Sequence, residues 1–129
     1  MRKYIMQIEQ KIKDLPHELK HEERKEYRDL LKKSTEKIVK ELSGKVEKIT
    51  LFGSYPGKAD LFTDLDILII MKTEKSFLER MKELYSLLAL PVDVDILCYT
   101  PAEFERIKHR GFFKKILENG IVLYEKRSN

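Results

Sequence analysis

The chain has 129 residues, a length that suits one domain and suffices to bury a core. Its 42% apolar and 37% charged residues fit a globular domain, and no run reaches the roughly 18 apolar residues of a membrane span. The net charge is only +4, from 26 basic and 22 acidic side chains, which gives nucleic acid little electrostatic support as a partner.

The first 44 residues read as helix. The opening MRKYIMQIEQKIKD is charged throughout, unlike a secretory signal. LPHELK (15–20) breaks the pattern and separates a short leading helix from one over His21 to Leu42. On the second helix Tyr27, Leu30, Leu31, Ile38 and Leu42 fall largely on one face. Ser43-Gly44 is its stop signal. This helical segment is expected to pack on a sheet or to build a homo-oligomer contact.

VEKITLF (46–52) alternates and is the first strand expected. An eleven-residue loop, 53–63, leads to DLDILIIM (64–71), a strand apolar on both faces and therefore expected at the centre of a sheet. Ser76-Phe77-Leu78-Glu79 has the spacing of a capping box. The helix it opens is expected to turn Leu78, Met81, Tyr85 and Leu88 inward and to stop before Pro91. VDVDILCY (92–99) is the third strand. Thr100-Pro101-Ala102-Glu103 is a second capping box, with proline at the favoured first helical position. Gly111 interrupts that helix, 112–119 resume it, and Asn119-Gly120 turn into a last strand, IVLYE. The expected class is α+β, a small mixed sheet packed with helices behind an N-terminal helical segment. A single cysteine, Cys98, excludes an internal disulfide and fits a reducing compartment, so a cytoplasmic location is expected.

The chemistry concentrates where strands begin and end. Asp64 and Asp66 alternate on a strand, so both project from one face, with Leu68 and Ile70 continuing it inward. Two carboxylates beside an apolar wall repel each other and are poorly solvated. A divalent cation relieves both problems, and Mg2+ prefers a few carboxylates, waters and phosphates to an all-protein cage. Asp93 and Asp95 repeat the arrangement on the third strand. If that strand lies beside the second, three or four carboxylates converge, as two-metal phosphoryl or nucleotidyl transfer requires. Gly53-Ser54, ending the first strand, supplies the complement. Glycine admits phosphate close to the backbone, exposed amides bind anions, and the Ser54 hydroxyl adds a hydrogen bond.

LFGSYPGKADLFTDLDILII, PVDVDILCYTPAEFE and NGIVLYE together resemble the nucleotidyltransferase superfamily that includes DNA polymerase beta, in its minimal bacterial and archaeal form. The resemblance covers about residues 46–125 and implies a single nucleotidyltransferase domain over 1–129, with helices over 1–44 and the catalytic sheet and helices over 45–125. It implies that Gly53 and Ser54 hold a nucleotide's triphosphate, that Asp64 and Asp66 bind both metal ions, and that the third carboxylate is Asp95. Asp95 is preferred to Asp93 because the family places that acid shortly before the T-P-x-E turn. The chain departs from the family where GS-x-A-R-G is common. Tyr55-Pro56-Gly57 stands there, the loop is about one residue shorter, and Lys58 is the candidate substitute for the missing arginine. Thr63 replaces a frequent serine and keeps the hydroxyl.

The implied activity is Mg2+-dependent transfer of a nucleoside monophosphate, AMP from ATP, to an acceptor hydroxyl. Minimal members often pair with a small helical HEPN protein, as antitoxin to toxin, so the resemblance also implies a HEPN-type partner carrying the acceptor. The alternative is a non-catalytic module that neutralises such a partner by contact. Asp60, His17, His21 and His109 read as surface or loop residues, and Cys98, on the face opposite the aspartates, as a packed small hydrophobe.

Overall fold

The computed structural model describes residues 21–53 and 65–127. The expected leading helix within 1–20, the loop after Gly53 with Ser54, Lys58 and Asp60, and the first aspartate, Asp64, lie outside the described residues. Among these residues four helices and four strands follow one another: α1 (His21–Leu42), β1 (Lys48–Phe52), β2 (Leu65–Ile70), α2 (Phe77–Leu88), β3 (Val94–Tyr99), α3 (Pro101–Ile107), α4 (Gly111–Asn119) and β4 (Ile121–Glu125). The class is α+β, as the sequence led us to expect.

The strands form one mixed sheet in the order β3-β2-β1-β4. β1 runs antiparallel to β2 and β4, with an irregularity in the β4 register between Ile49 and Thr50. β2 and β3 run parallel, joined by α2 as the crossover a parallel pair needs. β2 is internal, which explains why it is apolar on both faces: Leu65, Ile67 and Ile69 point one way, Leu68 and Ile70 the other, and all five are buried.

Each face has its own core. On one, Leu31, Ile38 and Leu42 of α1 and Leu84 and Leu88 of α2 cover Ile49, Leu51, Leu65, Ile67, Ile69, Ile96 and Cys98. On the other, Phe113 and Ile116 of α4 close over Leu68 and Ile70, with Phe52, Leu97, Tyr99, Phe104 and Ile107 around them. Each fully buried aliphatic side chain contributes about 1.5–3 kcal/mol relative to exposure. The two-sided β2 is therefore the spine of the domain. The second core is smaller and more aromatic, with Phe113 edge-on to Tyr99, Phe104 and Phe112 at ring separations of 5.5, 6.0 and 5.2 Å.

Local signals close the elements. Gly44 takes φ +80° beyond α1, and the Ser43 amide donates to Val39 O at 2.9 Å. Ser76 accepts the Glu79 amide at the start of α2 (3.3 Å). Both halves of a capping box form at α3, where the Thr100 amide donates to Glu103 Oε1 at 2.8 Å and Thr100 Oγ1 accepts the Glu103 amide at 3.2 Å.

The inward face of α2 differs from expectation. Leu78 is 63% exposed and Tyr85 is also exposed, while Arg80, Leu84 and Leu88 are buried and Met81 packs at the margin. Arg80, only 6% exposed, has a reason to go in. Its guanidinium donates to Lys75 O (2.8 Å) and to both Glu103 oxygens (2.7 and 3.3 Å), with a longer contact to Cys98 O. A buried charge is tolerable when paired and hydrogen-bonded in this way. The pair stitches the start of α2, the end of β3 and the start of α3 together.

Candidate functional site

β1 runs toward the end of the sheet from which β2 and β3 start. Phe52, its last residue, is the register partner of Asp66, and Asp66 is the register partner of Asp95. Paired residues in a sheet share a face, so Asp95, Asp66 and Phe52 form one row on neighbouring strands about 4.8 Å apart. Leu68 and Leu97 make the next row inward, also paired, and begin the second core. The carboxylates thus stand where the apolar face meets solvent: Asp66 is half-buried and Asp95 exposed. Gly53, half-buried, follows Phe52 directly and so lies at the same sheet end.

Of the residues singled out by sequence, the structure brings Gly53, Asp66 and Asp95 to one end of the sheet. Ser54, Lys58 and Asp64 lie outside the described residues. Asp93 precedes β3; its carbonyl accepts the Leu65 amide at 3.0 Å and its side chain is exposed. The parallel register that places Asp95 beside Asp66 follows from the β2-α2-β3 crossover, and this bond extends it one residue beyond the strand.

Two acidic side chains in adjacent register are a partial donor set for a hard divalent cation. Among the described residues no group of three His, Cys, Asp or Glu side chains is close enough to hold a metal ion. Asp66 and Asp95 are two of the three carboxylates that the sequence singled out, and the third, Asp64, lies outside the described residues.

Two features near this row, and a third at the far end of β3, carry no local sequence signal. Tyr85 reaches from α2 to the side of β3 that faces away from β2, where its hydroxyl donates to Val94 O (3.0 Å) and accepts the Ile96 amide (3.1 Å). These peptide groups flank Asp95, so a side chain expected in the core instead fastens the backbone around a candidate ligand. Phe112, the second residue of α4, packs edge-on against Phe52 with ring centroids 5.9 Å apart. Arg80 and Glu103 lock the opposite end of β3, and the Arg80 hydrogen bonds, followed by the Thr100 amide, lower the Glu103 carboxyl to about 2. Cys98, fully buried on the opposite face, has its thiol pushed up to about 11 by burial, which fits a packing role.

The profile of the family described as "Polymerase beta, Nucleotidyltransferase" matches residues 33–129. Among solved structures, a Sulfolobus solfataricus protein, itself only provisionally assigned as a nucleotidyltransferase, is similar at 19% identity and a TM-score of 0.50. That match covers 86% of this chain and 94% of the other, and it supports the fold. The MntA-HepT toxin-antitoxin structure is similar at 22% identity and a TM-score of 0.47, over 74% of this chain and 73% of that one. Among curated proteins none matches significantly. No helix among the described residues is long and apolar enough to cross a membrane.

Proposed function

Because the chain belongs to the polymerase beta nucleotidyltransferase family, we propose that it transfers a nucleoside monophosphate, AMP from ATP, to an acceptor hydroxyl with Mg2+ as cofactor. The observation that carries this reading is the pairing of Asp66 with Asp95 at the sheet end where β1 delivers Gly53. A nucleotidyltransferase needs clustered acids opposite a phosphate-accepting backbone, and the Asp66–Asp95 pair with Gly53 at the same sheet end supports that reading.

In this reading Gly53 lets the backbone approach the triphosphate, and Ser54 and Lys58 contribute a hydroxyl and a cation to it. Asp64, Asp66 and Asp95 would hold Mg2+, which supplies charge neutralisation at the phosphates and a lowered acceptor pKa. The acceptor oxygen attacks the α-phosphorus, the bond to the bridging oxygen of the β-phosphate breaks, and pyrophosphate leaves with that electron pair. Asp95 takes the acceptor proton. The second core, immediately behind the carboxylates, keeps water from their inner side and so strengthens their field.

The acceptor we propose is a hydroxyl, such as a tyrosine, on a small helical HEPN-type protein, with the pair acting as antitoxin and toxin in the cytoplasm. The support is the sequence resemblance, whose minimal members often pair with such a protein. The second reading is neutralisation of the partner by contact alone, favoured by the absence of the family's arginine after Gly53-Ser54. Labelled ATP, Mg2+ and the product of the adjoining gene separate the two. Transfer of label that disappears in Asp66→Asn supports catalysis. Neutralisation that persists in Asp66→Asn with no transfer supports contact alone.

A further inference from the structure

We infer that Phe112 is the platform on which the base of the nucleotide stacks. The inference rests on the nucleotidyl-transfer reading and deepens it, since it assigns a residue to the base where the carboxylates and Gly53 serve only the phosphates.

The geometry leads there in two steps. Asp95, Asp66 and Phe52 stand in one row across three strands on one face. Phe112 then extends that row off the sheet, because its ring meets Phe52 at 88° and 5.9 Å. An aromatic ring therefore lies one side chain beyond the half-buried carboxylate. It is 54% exposed, although its neighbour Phe113 on the same helix is buried in the second core.

Phe112 is also well held. It packs edge-on against Phe113 at 5.2 Å as well as against Phe52. The far end of α4 is pinned where Gly120 approaches Thr50 and Leu51 so closely that a Cβ would meet Thr50 Cγ2 at 2.7 Å. A ring fixed by its neighbours, open to solvent and beside an anion-and-metal site matches what stacking on a base requires. Every base has a π-face, so the platform serves affinity for nucleotides in general and leaves choice of base to other groups.

The chain contains no tryptophan, so Phe112→Trp introduces a single indole reporter at this point. Mg2+-ATP is expected to quench its emission saturably, while Mg2+-tripolyphosphate, which has no base, leaves it unchanged. In equilibrium dialysis, Phe112→Ala and Phe112→Leu are expected to weaken Mg2+-ATP binding roughly tenfold and to leave tripolyphosphate binding within about twofold. Phe112→Leu keeps the apolar bulk and removes the π-face, and circular dichroism checks that it folds. Wild-type affinity for ATP in Phe112→Leu overturns the inference and leaves the nucleotidyltransferase reading intact. So does equal quenching by tripolyphosphate, or quenching by a partner protein with none by ATP. If the wild-type protein binds neither ATP nor tripolyphosphate, the nucleotide reading itself fails and the inference falls with it.

Discussion

Asp95 sits on β3, the outermost strand among the described residues, and an outer strand turns one row of backbone groups away from the sheet. Tyr85 answers that locally by bonding the peptide groups on either side of it. Tyr85→Phe keeps the ring and removes both bonds, so it is expected to cost about 1 kcal/mol in urea unfolding. It is also expected to speed amide exchange at Ile96 relative to Ile67. An unchanged Ile96 rate would show that the hydroxyl does not hold the strand. At this scale the sequence was legible for residues whose chemistry is local. Two aspartates one residue apart announce themselves, and Cys98 was placed on the correct face by alternation alone. Tyr85 was not, because helical spacing makes no distinction between a side chain that enters a core and one that covers a strand edge.

Elements were legible where capping and turn residues mark their ends. Thr100 with Glu103, Ser43-Gly44 and Asn119-Gly120 each stand at a boundary that the structure shares. Gly120 is there for space. A Cβ on it would meet Ile116 O at 2.5 Å and Thr50 Cγ2 at 2.7 Å. Gly120→Ala must push α4 away from β1, with an expected loss of about 1–3 kcal/mol from overpacking. Thermal unfolding measures this, and wild-type stability in the variant would show that the turn is free to shift. The inward face of α2 was misread for a physical reason. Counting apolar positions selects Leu78, Met81, Tyr85 and Leu88, whereas Arg80 is drawn in by an acid 23 residues away. Periodicity treats a charged side chain as outward, and nothing near Arg80 in sequence names its partner.

For the molecule as a whole, the Arg80–Glu103 pair joins two helices and a strand at the end of the sheet away from the carboxylate row. Glu103 is held near 2, below its ordinary 4.5, chiefly by the Arg80 hydrogen bonds. Its contribution to stability is therefore complete above 4.5 and is lost as pH falls toward 2. Glu103→Gln should unfold at a lower temperature than wild type near neutrality, and the gap should close between pH 4.5 and 2. A gap independent of pH would mean that the charge of Glu103 adds nothing. The assembly of the site was also a whole-molecule matter. Sequence alone made the convergence of the acids conditional on the third strand lying beside the second. The order β3-β2-β1-β4, with β2 and β3 parallel, meets that condition for Asp66 and Asp95. Long-range pairing of this kind has no local signature, and the place of Phe112 beside Phe52 depends on it too.

Whether Asp66 and Asp95 together hold a metal-bound nucleotide, as proposed, is decided by dialysing labelled ATP against wild type, Asp66→Asn and Asp95→Asn, with Mg2+ and with a chelator. The expected result is Mg2+-dependent retention of ATP by the wild type and a loss of at least roughly tenfold in each folded variant, a scale on which changes around metal ligands commonly act. Equal retention by all three proteins, or retention by the wild type that ignores the chelator, would contradict it.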